Sequence, residues 1–62
     1  MDQPLSVLNG FKGKNVLVVL KGNKEVSGIL EAIDLNTNVT LNIDGVSQLI
    51  QGNTVMLISL QQ

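Results

Sequence analysis

Between Asn15 and Leu60, apolar residues recur at every second position in short runs that are separated by tight turn signals. Successive side chains of a β-strand point to opposite faces of a sheet, so this period predicts strands rather than helices. The first run is apolar on both faces, as expected for a strand covered on both sides. The pattern predicts five strands: NVLVVLK, EVSGILEAID, NVTLNI, VSQLIQ and TVMLISL.

The segments between these runs are short enough to join antiparallel neighbours. KGNK at 21–24 is a polar turn that contains a glycine, and GN at 52–53 separates the last two runs. Asp44-Gly45 is a strong two-residue hairpin signal, because both residues tolerate positive φ angles.

Alternation within the runs assigns side chains to faces. In the third run, the residues predicted to face inward are Val39, Leu41 and Ile43. In the second run, one face carries Val26, Gly28, Leu30 and Ala32, and the other carries Glu25, Ser27, Ile29, Glu31 and Ile33. Gly28 and Ala32 leave little side chain where a strongly bent sheet folds over itself.

A short helix is predicted before the strands. In PLSVLN, Pro4 suits the first helical position, Gly10 suits the end, and Leu5 and Leu8 lie three residues apart on one apolar edge. A helix this short must dock on the sheet to be stable. The fold class is therefore all-β, with a short N-terminal helix followed by a five-stranded, strongly bent antiparallel small barrel, in a single domain over residues 1–62.

The size and composition of the chain favour self-association. A lone domain of 62 residues buries only about 60% of its unfolded surface, and no Cys or His is present to provide a disulfide or a Cys/His metal site. The last run is apolar on both faces, and such an edge strand invites pairing with another chain. A head-to-tail contact of this kind can close into a ring. The alternative is that both faces are covered within the subunit.

Charge and residue types limit the function classes. The four lysines, which could form one local basic face, are Lys12, Lys14, Lys21 and Lys24, and the net charge is −1. No signal peptide is expected, VLVVL is too short to span a membrane, and a cytoplasmic location is predicted. Without His, Cys, Tyr or Trp, no catalytic pair is visible, so no enzyme, cofactor or metal is expected.

One corner carries more polar residues than a turn requires. The run ending at Ile33 is followed by Asp34-Leu35-Asn36-Thr37-Asn38, which places two amides and a carboxylate at one reversal of the chain. Asp34 and Asn38 can hydrogen-bond the loop backbone, as Asx turns do, and they can also bind a ligand. Both interpretations remain open, separately or together.

The order of these features resembles the Sm/LSm family. The family combines a helix with five bent strands, a Gly in the second strand (here Gly28), an Asp-x-x-x-Asn corner, and a second motif that reads Ile-Arg-Gly, here Ile50-Gln51-Gly52 followed by Asn53. The resemblance covers nearly the whole chain and is nearest to the archaeal or general type. VSQLI and the short Asp44-Gly45 connection are also similar to Hfq, the bacterial member, but Gly52-Asn53 stands where Hfq has Lys-His.

The resemblance implies a ring of about six or seven subunits, joined through strands 46–51 and 54–60, that binds single-stranded, U-rich RNA at its pore. It implies that Asn36 stacks on the base, that Asn38 hydrogen-bonds the uracil edge, and that Asp34 shapes the loop. Gln51 takes the place of an arginine that stacks from the other side, and Gly52 and Asn53 complete the second motif.

Two positions depart from the family pattern. The family has His, Phe or Tyr where this chain has Asn36, and Gln51 lacks the planar charge of arginine. The resemblance therefore implies a weakened RNA site. Two functions are consistent with it: a scaffold or chaperone that holds RNA at the pore, and a structural or protein-interaction ring with little or no RNA binding. Gln51 and Asn53 also suit plain turn positions.

Overall fold

The computed structural model describes residues 3–61. In these residues it contains one helix, five strands and one 3₁₀ turn. Their bounds are α1 Leu5–Asn9, β1 Asn15–Leu20, β2 Lys24–Ile33, β3 Val39–Ile43, β4 Val46–Ile50, the 3₁₀ turn Gly52–Thr54, and β5 Val55–Leu60. The predicted order of one helix and five strands is confirmed, and the 52–53 segment lies within the 3₁₀ turn.

All strand pairs are antiparallel, and the order across the sheet is β4-β3-β2-β1-β5. The chain therefore places β4 and β5 at the two edges of the sheet, and each has one side without a strand partner in residues 3–61. The β3–β4 hairpin follows the local rule for its turn, because Asp44 and Gly45 have φ angles of 54° and 84°.

A β-bulge in β2 changes which side chains reach the core. Leu30 pairs with Leu41, but the next pair is Ala32 with Thr40, so Glu31 is an extra residue on β2. The bulge turns Ile33 into the core, where 9% of its surface is exposed, and leaves Ala32 exposed. The prediction that Ala32 shares the face of Leu30 and that Ile33 faces away is therefore wrong.

The close approach of β2 and β3 requires Gly28. A Cβ atom at this position would lie 2.7 Å from the carbonyl oxygen of Asn42 and 2.9 Å from Cγ1 of Ile43. Both distances are shorter than real Cβ contacts, so the predicted need for a minimal side chain at a strong bend is confirmed for Gly28.

One core lies inside the curled sheet and under the helix. Its buried members are Leu8, Val16, Val18, Leu30, Ile33, Val39, Leu41, Val55 and Ile58. Leu8 of α1 is 1% exposed and Leu5 packs beside it, which confirms that the apolar edge of the helix docks on the sheet. Pro4 precedes the helix as its N-cap, and Gly10 ends it with an ordinary φ of −67°. Ile43 packs against the core from its margin.

On the outer edge of β5, the side chain of Gln3 forms hydrogen bonds with the backbone of one residue, Ile58. Gln61 donates its backbone N–H to Asn15 of β1, so by alternation the N–H and C=O of Ile58 face away from β1. The side-chain amide of Gln3 binds both: Nε2 donates to the Ile58 oxygen at 2.7 Å, and Oε1 accepts from the Ile58 nitrogen at 2.9 Å. The amide occupies the place of a peptide group on a neighbouring strand.

Large apolar side chains remain exposed on both edge strands. On β4, Val46 is 58% exposed and Leu49 is 70% exposed. On β5, the exposed apolar residues are Met56, Leu57 and Leu60. Across residues 3–61, no helix has the length and apolar character that a membrane crossing would need. The cytoplasmic location stays a prediction.

Candidate nucleic-acid interface

The carboxylate of Asp34 closes the loop between β2 and β3. Its Oδ1 accepts the backbone N–H groups of Asn36 at 2.8 Å and Asn38 at 2.9 Å, and its Oδ2 accepts Nδ2 of Asn38 at 3.0 Å. The backbone N–H of Asp34 also donates a hydrogen bond to the carbonyl oxygen of Asn38 at 3.2 Å. Asp34 and Asn38 therefore form the local hydrogen bonds of an Asx turn, which confirms the structural interpretation of this pair.

These donors also act on the titration of Asp34. The backbone N–H of Asn38 and then its side-chain amide are the main causes that hold the pKa of Asp34 below its ordinary value of 3.8. Desolvation opposes them, and the N–H of Asn36 adds a smaller lowering effect. All three groups donate to the ionised form and stabilise it. The loop is thus built around a charged carboxylate at neutral pH.

The reversal of the chain within this loop is strained at Thr37. Its φ angle is 63°, in the left-handed region, where a β-branched residue is a genuine outlier. The backbone N–H of Thr37 donates to the carbonyl of Asp34 at 3.0 Å, which helps to hold this conformation. Leu35 precedes the reversal and projects outward, with 86% of its surface exposed.

Asn38 joins this loop to the turn between β4 and β5. Its Oδ1 accepts the backbone N–H of Gly52 at 2.8 Å. The two backbones are in close contact at this point, because a Cβ atom on Gly52 would lie 1.9 Å from the carbonyl oxygen of Asn36 and 2.6 Å from the carbonyl carbon of Thr37. Only glycine fits between the loops.

The turn itself is held by Thr54 and by the β1–β2 hairpin. The hydroxyl of Thr54 donates to the carbonyl oxygen of Gln51 at 2.7 Å, and its backbone N–H donates to the same oxygen at 3.1 Å. The carbonyl of Thr54 then accepts the backbone N–H of Lys21 at 2.9 Å. The turn therefore contacts two segments that lie far from it in the sequence, the 34–38 loop and the β1–β2 hairpin.

A shallow pocket of about 360 Å³ lies where the two loops meet. The four side chains that line it are all amides: Asn36, Asn38, Gln51 and Asn53. The remaining two predicted site residues support the pocket from behind, since Asp34 shapes its first loop and Gly52 allows the second loop to approach. The structure thus brings together all six residues that were predicted to bind RNA, while their roles in binding stay predictions.

The amides give the pocket donors and acceptors without charge. Each amide offers two N–H donors and a carbonyl oxygen, which can match the edge of a nucleobase. Asn38 has already used one N–H on Asp34 and one lone pair on Gly52, so only its second N–H and second lone pair can face a ligand. The side chains of Asn36, Gln51 and Asn53 form no hydrogen bond with another residue in the range 3–61.

Sequence reasoning missed two features of this region. It did not foresee that Asn38 binds Gly52, and it grouped four lysines that the fold separates to the two ends of β1. The first depends on which distant segments meet, which no local signal reports, whereas the second follows from the length of β1 alone. Among residues 3–61, no group of three acidic side chains is placed to hold a metal ion.

Comparison with known proteins identifies the family. The model of the LSM domain matches residues 6–43, which is more than half of the chain. This protein belongs to the LSM family. The resemblance that the sequence suggested is thereby confirmed, while the Hfq-like detail in the fourth strand stays a prediction.

Two archaeal relatives are similar to this LSM protein in sequence. A snRNP Sm-like protein of Thermoplasma volcanium is 44% identical over 50 residues, and one of Thermoplasma acidophilum is 42% identical over 50 residues. In both cases the match covers 81% of this chain and 58% of the relative, so the chain spans less than two thirds of these proteins.

Solved archaeal structures share its fold. The Sm protein of Pyrococcus abyssii in complex with a uridine heptamer is 32% identical, with a TM-score of 0.84, and the match covers 97% of this chain and 100% of that one. The SmAP1 heptamer of P. aerophilum is 29% identical, with a TM-score of 0.83 and coverage of 100% and 97%. The SmAP protein of Methanococcus vannielii is 35% identical, with a TM-score of 0.81 and coverage of 95% and 97%.

Proposed function

We propose that this LSM protein assembles into a ring and binds single-stranded, U-rich RNA as a scaffold or chaperone. The observation that carries the proposal is the pocket of four amide side chains, Asn36, Asn38, Gln51 and Asn53, which two interlocked loops hold in place. A similar fold occurs in a protein solved with a uridine heptamer. Binding rather than catalysis is proposed, because the sequence has no His, Cys, Tyr or Trp.

The edges of the sheet support the ring. Since β4 and β5 lie at opposite edges, β4 of one subunit can pair with β5 of the next in a head-to-tail contact that repeats until it closes. Exposed Leu49 on β4 and Met56 on β5, at 70% and 56%, provide apolar surface for such a contact. Similar folds have been solved as heptamers, which makes seven subunits the first number to test.

The pocket supports binding of a base by its edge more than by its face. Its amides provide hydrogen-bonding groups, whereas neither an aromatic ring nor a guanidinium group lines it. Stacking of a base on an aromatic side chain is worth about 1–3 kcal/mol, so its absence predicts weak binding by each subunit. Repetition of the pocket around a ring would compensate, because a strand bound at one subunit meets the next at high effective concentration.

A second function is favoured by one specific observation. Asn38, the residue expected to read uracil, already donates to Asp34 and accepts from Gly52 within the subunit. These bonds fully explain why an asparagine stands at this position. The protein could therefore be a structural or protein-interaction ring in which the corner serves only the fold.

Native mass spectrometry with and without a uridine heptamer tests the proposal. A single ring mass that gains one oligonucleotide supports the RNA scaffold and gives the subunit number. A ring that binds neither oligo-U nor oligo-A supports the structural alternative. A monomer at all concentrations contradicts the ring, and with it the repeated pocket on which RNA binding depends.

Substitutions in the pocket separate a binding role from a structural one. Asn38→Ala removes a bond to Gly52 as well as a pocket side chain, so it changes stability under both functions. Asn36→Ala is the sharper variant, because the Asn36 side chain lines the pocket and the Asp34 carboxylate binds only its backbone. If RNA binds in the pocket, Asn36→Ala weakens oligo-U binding and leaves the unfolding transition unchanged. Asn9→Ala, on the exposed end of α1, is the matched control and alters neither.

A further inference from the structure

The fold divides the four lysines into two pairs at opposite ends of β1. Lys12 and Lys14 precede the strand, and Lys21 and Lys24 follow it. Six strand residues rising about 3.3 Å each separate the pairs by about 20 Å. The single basic face considered from the sequence is therefore not formed, and the two pairs have different surroundings.

One lysine of the second pair is hydrogen-bonded through its backbone to the turn that carries two of the pocket residues. The backbone N–H of Lys21 donates to the carbonyl of Thr54 at 2.9 Å, and the residue before Thr54 is Asn53, which lines the pocket. Leu20, the last residue of β1, pairs with both Lys24 and Val55. The β1–β2 hairpin thus lies beside the turn that carries Gln51 and Asn53.

The shape of this hairpin keeps its two lysines together. Gly22 and Asn23 have φ angles of 82° and 61°, which makes a tight loop that Lys21 and Lys24 flank. Both lysines are exposed. Glu25, the nearest acidic residue in sequence, follows Lys24 on β2, so alternation directs its side chain to the opposite face of the strand.

We infer that Lys21 and Lys24 bind the phosphodiester backbone of the nucleic acid whose bases enter the amide pocket. This inference rests on the proposed RNA binding and adds to it the residues that bind phosphate. The pocket itself is uncharged, because Gln51 stands where the family has arginine, and a polyanion bound there needs cations nearby. Phosphate contacts position a strand without reading its sequence, so the lysines supply affinity and the amides supply preference.

The chain offers a matched control for this inference. Lys21→Gln with Lys24→Gln and Lys12→Gln with Lys14→Gln remove the same charge from the two ends of one strand. Each double variant is first compared with wild type by native mass spectrometry and circular dichroism. Affinity for fluorescent oligo-U and oligo-A is then measured by anisotropy over a series of salt concentrations.

The salt dependence gives the expected result. For single strands, the slope of log K against log salt becomes shallower by about 0.7 for each phosphate that the protein no longer neutralises. The Lys21/Lys24 variant is expected to show a smaller slope and an equal fold-decrease in affinity for oligo-U and oligo-A, while the Lys12/Lys14 variant keeps the wild-type slope. Equal slopes in the two variants, or a decrease confined to oligo-U, overturn the inference alone. A wild-type protein that binds neither oligonucleotide at low salt overturns the proposed function as well.

Discussion

Replacing Gly52 with alanine is expected to separate the two loops of the pocket. The new Cβ atom would lie 1.9 Å from the carbonyl oxygen of Asn36, and ordinary contact begins at about 3.4 Å. The clashing atoms, the carbonyl oxygen of Asn36 and the carbonyl carbon of Thr37, both belong to the backbone. No rotamer change can therefore relieve the contact, and the loops must move apart. The 2.8 Å bond between the Gly52 nitrogen and Asn38 cannot survive a displacement of this size.

Two contributions set the magnitude of this effect. Overpacking in a well-packed region costs about 1–3 kcal/mol, and loss of a hydrogen bond costs about 0.5–1.5 kcal/mol. We therefore expect Gly52→Ala to lower the free energy of unfolding by about 2–4 kcal/mol. Gly52 is not among the glycines with positive φ, so the effect measures space and not backbone conformation.

Urea denaturation at one fixed protein concentration measures the change, because the proposed self-association would make stability depend on concentration. Gly10→Ala is the matched control: its φ is also negative and its Cβ would lie 3.2 Å from the carbonyl oxygen of Val7, so its effect should stay within about 1 kcal/mol. Two results together would refute the close contact between the loops. They are a free energy of unfolding for Gly52→Ala within about 0.5 kcal/mol of the wild-type value, and amide hydrogen exchange at residue 52 that is no faster than in wild type.

Three further predictions concern the first loop. Folding lowers the pKa of Asp34, so its ionised carboxylate stabilises the fold at every pH above the ordinary pKa of 3.8. This contribution is lost as the pH falls through the lower pKa of the folded state. Asp34→Asn should therefore reduce the fall in unfolding free energy measured between about pH 6 and pH 2. Thr37→Asn should raise urea stability by about 0.5–1 kcal/mol, because asparagine tolerates a φ of 63° better, and a decrease would show that the threonine side chain packs favourably. Asn36→Tyr should strengthen oligo-U binding by about 1–3 kcal/mol per base in anisotropy titrations, whereas an unchanged affinity would place the base elsewhere.

The strands and the hairpin could be predicted because local chemistry determines them. Alternation reports strands directly, and Asp44-Gly45 forms the predicted turn since both residues accept positive φ angles. The bulge at Glu31 could not be predicted in this way. Its position depends on which residues of β3 face β2, and a single extra residue there reverses the faces of Ala32 and Ile33.

In the candidate site, too, contacts between residues close in sequence could be predicted, and contacts between distant residues could not. Asp34 and Asn38 lie four residues apart, and their hydrogen bonds follow from the Asx-turn habit of these residue types. The bond from Gly52 to Asn38 spans 14 residues, and the bond from Lys21 to Thr54 spans more. Sequence reasoning singled out the first loop from its polar residues, but it named Gln51 and Asn53 as binding residues only through the family resemblance, and it had no means of placing the lysines beside them.

The bidentate bond of Gln3 has a consequence for how copies of this chain can meet. Because a side-chain amide already satisfies the N–H and C=O of Ile58, the outer side of β5 is not a uniform template. A strand from another copy must either stop short of Ile58 or exchange places with Gln3, bond for bond. If the incoming strand displaces Gln3, the number of hydrogen bonds within the protein at Ile58 does not increase, and the displaced amide of Gln3 hydrogen-bonds to water instead. A single residue before the helix thus acts as a built-in competitor for this chain's own edge.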